Sequence, residues 1–224
     1  YIADMEHIYI PSMYVSKIFV VDTAGVVKRK IDYSTTKDGQ QLKPFMPSDK
    51  SQIVFIGDDL YIPQTVNLRL GDKAIERSPI KVVLDTIENT SEALPMRFPP
   101  LINYKDFGTV GAFGAEYSFC YDGNRFIYSF DADEDLYLTT SAHEKVEKKK
   151  AKSKYIDHVT VFRSTEGNFQ KMVRAQCEHA SYGKILYDKY RDVYYRFVYP
   201  PCDTSDYFGD YVCLLYTSDA ADDL

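Results

Sequence analysis

The chain has 224 residues, of which 45% are hydrophobic and 15% aromatic, with a net charge of −6. That much apolar material excludes disorder over most of the length. The acidic balance argues against a general nucleic-acid binder, which needs a basic face to displace counterions. No apolar run approaches the roughly 20 residues that a membrane helix requires. The 20 Tyr and 13 Phe, with no Trp, suit pleated, half-buried surfaces and point to strands.

In chain order, the first predicted strand is Ile8-Tyr9-Ile10-Pro11. A hairpin follows: 17–22 runs into Thr23-Ala24-Gly25 and returns through 26–31. Residues 53–56, Gly57-Asp58-Asp59 and 60–62 read as a second hairpin. Ile80–Asp85, a polar turn and Ala93–Phe98 read as a third, and its Asp85-Thr86 opening repeats Asp22-Thr23. Tyr117–Tyr121, Asp122-Gly123-Asn124 and 126–128 give the clearest hairpin of all. Asp-Gly readily supplies the positive φ that a tight turn needs. Asp135–Thr139 leads on to 145–147, and 185–187, 188–192 and 193–195 close the series.

One pattern recurs along this path. Ile8-Tyr9-Ile10-Pro11, Leu60-Tyr61-Ile62-Pro63, Ile127-Tyr128-Ser129-Phe130 and Val193-Tyr194-Tyr195-Arg196-Phe197 carry marker tyrosines at steps of 52, 67 and 66 residues. A near-constant step marks a modular array. Four short strands per unit, repeated, is the blade pattern of a β-propeller. A β-sandwich also yields many short strands, but it does not require one aromatic hairpin at steps of 66 and 67 residues. The expected class is therefore all-β, a partial propeller over residues 1–212. Insertions are expected at 64–79, 100–116 and 156–182, the last with a short helix carrying Phe169, Met172, Val173 and Cys177 on one face.

Residues 213–224 are set apart. Cys213 to Asp222 resembles an in-frame translation of a transposase adapter used in sequencing libraries, so this tail is expected to be an artefact. Without Asp219, Asp222 and Asp223 the charge falls from −6 to −3. Cys120, Cys177 and Cys202 then remain, too widely spaced for a metal signature or an inferred disulfide framework.

The candidate chemistry is sparse. Asp131-Ala132-Asp133-Glu134-Asp135 opens like a calcium loop, yet Leu136 stands where the turn glycine belongs and Ala142 where the bidentate glutamate belongs. It reads better as a solvated acidic loop. Lys145, Lys148, Lys149, Lys150, Lys152 and Lys154 could meet an anionic surface. They read better as the protection of an outer edge strand. His7, His143, His158 and His179 lack ligand spacing, and Gly108, Gly111 and Gly114 fit no phosphate-binding pattern. Arg191 and Arg196 stand among Tyr187, Tyr190, Tyr194 and Tyr195, an arrangement able to stack on sugar or peptide faces. The alternative is a blade core with snorkelling arginine stems. Strand alternation sends Tyr194 and Arg196 to one face and Tyr195 and Phe197 to the other. The ligand-binding candidates are thus Arg191, Tyr194, Arg196 and Tyr128; no catalytic residue, metal ligand or cofactor is assigned.

Two segments carry a family resemblance. Phe126-Ile127-Tyr128-Ser129-Phe130 with Asp133–Tyr137, and Tyr182–Phe197, resemble a bacterial family of unknown function whose members are TolB-like six-bladed β-propellers, commonly lipoproteins of the cell envelope. The likeness covers most of residues 8–200. It implies about four of six blades, a periplasmic or outer-membrane-anchored location, and a lipid signal before Tyr1 as the sole link to a membrane. It supplies no activity and no catalytic residues. The function expected is non-catalytic binding of a peptide, glycan or protein partner. A calcium-dependent hydrolase or lactonase and a structural assembly subunit are the alternatives.

Overall fold

The computed structural model describes residues 1–45, 50–67, 73–99, 116–159 and 177–202. These residues form four antiparallel sheets. The first holds β1 (Ile8–Pro11), β2 (Lys17–Val21) and β3 (Val27–Asp32). The second holds β4 (Val54–Ile56), β5 (Asp59–Pro63), β6 (Lys81–Asp85) and β7 (Thr90–Ala93). The third holds β8 (Tyr117–Tyr121), β9 (Phe126–Phe130), β10 (Asp135–Thr139) and β11 (Val146–Lys150). The fourth is the hairpin of β12 (Ser181–Asp188) and β13 (Val193–Tyr199). Every sheet is a meander in which each strand pairs with its neighbour in sequence. Among the described residues, α-helix is limited to the single turn α1 (Ala74–Arg77) and to Cys177. The all-β expectation holds. The tyrosine-bearing strands β5, β9 and β13 are each the second strand of their sheet, and β1 pairs forward with β2 as they do with their successors where one follows.

The turns explain why aspartate recurs where strands reverse. Asp22 Oδ1 accepts the N–H groups of Ala24 and Val26 at 3.0 and 2.9 Å, and Asp85 Oδ1 those of Ile87 and Glu88 at 2.8 and 2.9 Å. Asp122 and Asp188 do the same in the β8–β9 and β12–β13 turns. A short carboxylate thus replaces the backbone acceptor that a reversing chain lacks. Gly123, with φ 97°, completes the β8–β9 turn. One strand differs from expectation: β7 is Thr90–Ala93 rather than 93–98. Asn89 adopts φ 56° and closes the reversal early, so polar Thr90-Ser91-Glu92 forms the returning edge strand.

Side chains alternate between two buried interfaces. From the second sheet, Leu60, Ile62, Val82 and Leu84 pack with Ile18, Val20, Ile31 and Tyr33 of the first sheet and the segment after it. The opposite face presents Tyr61, Val54, Ile56 and Val83 to Tyr117, Phe119, Phe126, Tyr128 and Phe130 of the third. The third sheet repeats the arrangement, with Ile127, Leu136 and Leu138 meeting Ile185 and Tyr194 of the fourth. The sheets therefore stack face to face in chain order, and the middle two are apolar on both faces. A period of two along each strand accounts for this.

The third sheet ends on β11, whose residues are all exposed. Its lysines are partly paired: Lys148 with Asp135 at 2.9 Å, and Lys152, just beyond the strand, with Glu134 at 3.7 Å. The basic run is an edge strand, and its charge answers the acidic loop beside it. Within that loop Asp131 pairs with Lys50 at 2.7 Å, and Asp133 accepts the Asp135 N–H at 3.0 Å and the Tyr137 hydroxyl. The expected solvated loop is thus partly buried: Asp131 and Asp133 are taken out of water beside separate partners, and Asp131 Oδ1 is left without one. The expected helix around Phe169, Met172 and Val173, the glycines at 108, 111 and 114, and the tail at 213–224 lie outside the described residues, as does most of the second and third expected insertions. α1 falls within the first.

Candidate functional site

The accessible aromatic and cationic groups of the third and fourth sheets meet where two hairpin turns adjoin. β12 and β13 bring Tyr187 opposite Tyr194, with ring centroids 5.1 Å apart. The Tyr194 hydroxyl donates to Asp122 Oδ2 at 2.7 Å, joining the fourth sheet to the β8–β9 turn of the third. Arg125, from the same turn, lies 3.4 Å from that carboxylate and also bonds the Tyr194 hydroxyl. In the β12–β13 turn, Arg191 pairs with Asp188 at 2.9 Å. Tyr190 is 88% exposed. Asp192 holds φ 55°, and its carboxylate accepts the Tyr187 hydroxyl at 2.9 Å, which fixes this left-handed residue in place.

Electrostatics keep the rim charged yet internally balanced. Donation from the Tyr190 N–H and then Arg191 holds the Asp188 carboxyl below its usual range. Burial works to raise the Asp122 carboxyl, but the N–H groups of Arg125 and Asn124 and the Tyr194 hydroxyl outweigh it and lower it. Tyr194 is pushed up to about 12 by burial and by Asp122, so its hydroxyl remains a donor at neutral pH. Each arginine thus has a carboxylate beside it, and tyrosine rings stand between the two ion pairs.

Of the four residues singled out from sequence, the structure brings Arg191 and Tyr194 to this rim and sets Arg196 and Tyr128 apart. Arg196 shares a strand face with Tyr194, as alternation requires, but that face lies against the third sheet, and Arg196 is 3% exposed. Its donors reach Ser129 Oγ at 2.8 Å and the carbonyls of Asp133, Glu134, Ala151 and Phe130 at 2.6, 2.9, 3.2 and 3.3 Å. Its guanidinium carbon sits 3.4 Å from the Tyr182 ring centroid. The polar contact predicted for this face is therefore made within the chain. Tyr128 is fully buried between the second and third sheets, donating to His143 Nε2 at 2.5 Å. The Ser141 carbonyl, 2.8 Å from Nδ1, fixes that tautomer. Burial lowers His143 to about 4, so the imidazole is neutral.

A family model described as a domain of unknown function, DUF4221, matches residues 1–219. The chain belongs to the DUF4221 family. A crystal structure of a DUF4221 member from Bacteroides vulgatus ATCC 8482 is similar to it, with a TM-score of 0.73 and 19% identity over 94% of this chain and 58% of that one. Likeness at that identity speaks for the fold alone. This DUF4221 chain spans 58% of the length of that solved relative. No curated protein matches it.

Sequence reasoning passed over two groups in this DUF4221 chain. Arg125 belongs to the rim, and its signal was its place three residues after a turn-opening Asp122, the same interval as Asp188 to Arg191. Lys81 is 0% exposed in the apolar interface between the second and third sheets. Its amine stands 3.1 Å from the Phe119 ring centroid, 4.5 Å from Phe126 and 5.3 Å from Tyr128. Its amine has no hydrogen-bond partner, and burial pushes it well below the usual lysine range. One lysine inside Ile80-Lys81-Val82-Val83-Leu84 was the available signal.

Proposed function

We propose that the chain is part of a six-bladed, TolB-like β-propeller, a non-catalytic lipoprotein of the bacterial cell envelope, and that its tyrosine–arginine rim binds a neutral glycan. The observation carrying the binding role is the pairing of an exposed Tyr190 and half-buried Tyr187 and Tyr194 with arginines already neutralised by Asp122 and Asp188. An aromatic face covers the apolar side of a sugar ring, while adjacent donors and acceptors suit neighbouring hydroxyls. A peptide or protein anion would be a poorer match, because each guanidinium would have to leave its own carboxylate first. Serial stacking of meanders, two of them four-stranded with the tyrosine strand in second place, supports the propeller reading. Arg196 and Tyr128 serve the site from beneath, by fixing the third sheet against its neighbours. The engagement of Asp131 with Lys50 and of Asp133 with Tyr137 supports binding over a calcium-dependent hydrolase.

The test is titration of the chain with a panel of soluble neutral oligosaccharides, followed by the double variant Tyr190→Ala/Arg191→Ala. We expect at least one neutral glycan to bind, and the variant to weaken it about 30-fold, the effect of losing one strong anchor. Both side chains are exposed, so the melting temperature should stay within about 1 °C. Selective binding of acidic glycans or acidic peptides, or equal binding by the variant, would overturn the assignment.

A further inference from the structure

We infer that Cys177 and Cys202 form a disulfide that clasps the open end of the β12–β13 hairpin. The two residues are 25 apart in sequence and carry no recognisable spacing. The fold nevertheless sets them face to face. The last paired residues of the hairpin are Ser181 and Tyr199, and the chain continues past both until the Cys202 N–H donates to the Cys177 carbonyl at 2.8 Å. Cys177 is helical and Cys202 lies beyond β13, so this single bond is no ladder pair, but it holds the two main chains at a separation where the roughly 4.4–6.8 Å Cα span of disulfides can be met. Both thiols are half-buried, so neither is sealed from a small reagent. Burial first, then the neighbouring Cys202, raises the Cys177 thiol. Cys120 is also half-buried but packs against the apolar cluster between the third and fourth sheets, with its thiol pushed up to about 12 by burial and so rarely a thiolate.

The clasp has a structural consequence. The far end of this hairpin carries the Asp188–Asp192 turn and hence half of the rim. Its near end is irregular, with a register shift between Tyr182 and Ile185 where Gly183 passes beneath the Tyr199 ring. A side chain at Gly183 would bring its Cβ within 2.3 Å of that ring. A covalent tie below the irregularity keeps the two strands in one register.

The chemistry is thiol–disulfide exchange with a small-molecule disulfide such as oxidised glutathione. One cysteine thiol gives up its proton, and the thiolate attacks a glutathione sulfur, breaking that S–S bond and expelling a glutathione thiolate. The second cysteine thiolate then attacks the protein sulfur of the mixed disulfide, forming the Cys177–Cys202 bond and expelling the second glutathione. Two protein thiols are oxidised, one glutathione disulfide is reduced to two thiols, and the protons released pass to the glutathione thiolates.

The experiment equilibrates the full chain with oxidised and reduced glutathione, quenches with acid, blocks free thiols with iodoacetamide and maps peptides by mass spectrometry. Digestion uses trypsin with chymotrypsin, because Cys202 and Cys213 otherwise share one tryptic peptide. We expect a Cys177–Cys202 linked peptide, about two mass units lighter than the sum of its reduced partners, with one bond lost in two thiol hydrogens. Cys120 should stay outside any linkage in the folded chain and alkylate slowly, because its thiol is seldom ionised. The same incubation in concentrated guanidinium chloride should scatter the pairing among all four cysteines, since the fold selects it. Alkylation of both residues at oxidised equilibrium, linkage of Cys202 to Cys213, or linkage between two chains would overturn the inference. Glycan binding is not read in this experiment, so its outcome is independent of the function proposed above.

Discussion

Arg196→Ala is expected to lower the unfolding free energy by about 3–5 kcal/mol, the range seen when one partner of a buried charged network is removed. The guanidinium fork reaches four main-chain carbonyls and one hydroxyl across the third and fourth sheets, and it lies on the Tyr182 ring. Truncation would leave those acceptors buried without donors, and each unsatisfied group costs about 1–3 kcal/mol before relaxation. Arg196 is held near 10 by burial, offset in part by Tyr182, Asp133, Asp131 and Asp135, so the group stays charged at neutral pH. Arg196→Lys should recover only part of the loss, leaving a deficit of about 2 kcal/mol, because an ammonium cannot span a fork or stack on a ring. Urea unfolding of the three proteins, compared at equal m-value, reads both numbers. Equal midpoints for wild type and Arg196→Ala would show that the clip contributes nothing. Loss of the fourth sheet's packing alone would instead appear as a reduced m-value.

The contrast between Arg196 and the hairpins shows which parts of this molecule a sequence can reveal. Turns at Asp22, Asp85, Asp122 and Asp188 are legible because a carboxylate two to four residues from the N–H groups it accepts is a local event. Strand faces are legible because alternation is local too, so Tyr194 and Arg196 were assigned to one face correctly. What covers that face is decided by the next sheet in the stack, 60 or more residues away. β7 was placed late because Thr90-Ser91-Glu92 has no apolar alternation, and an edge strand does not need it. Arg125 was passed over since its neighbours at the rim come from a different sheet. Cys177 and Cys202 are adjacent only because the chain segments flanking β12 and β13 stay together past the last strand pair. For Arg196, Arg125 and the two cysteines the missing information was a long-range contact; for β7 it was a local turn at Asn89.

Lys81→Met should stabilise the chain by about 3 kcal/mol or more at neutral pH. The reason is a balance of magnitudes. A protonated amine at this site would gain about 2 kcal/mol from each well-placed aromatic face at most. Leaving water without an anion partner costs considerably more, so the amine gives up its proton instead. At pH 7, deprotonating a group of ordinary pKa 10.4 costs about 4.6 kcal/mol, and the neutral amine still lacks an acceptor. Methionine has nearly the same length, carries no proton and makes favourable contacts with rings. The groups facing the amine do not reverse this: His143 is neutral, and burial keeps Tyr117 and Tyr128 protonated well past neutral pH. The dependence on pH follows from linkage. Between the folded and unfolded pKa values the unfolded chain binds one more proton than the folded chain, so stability rises with pH by about 1.4 kcal/mol per unit. The advantage of Lys81→Met should therefore shrink between pH 7 and 9 by about 2–3 kcal/mol, and subtracting the two profiles removes the tyrosine and histidine titrations they share. Parallel profiles across that window would mean that Lys81 keeps its proton in the folded chain and has found a counterion that the aromatic cage does not supply.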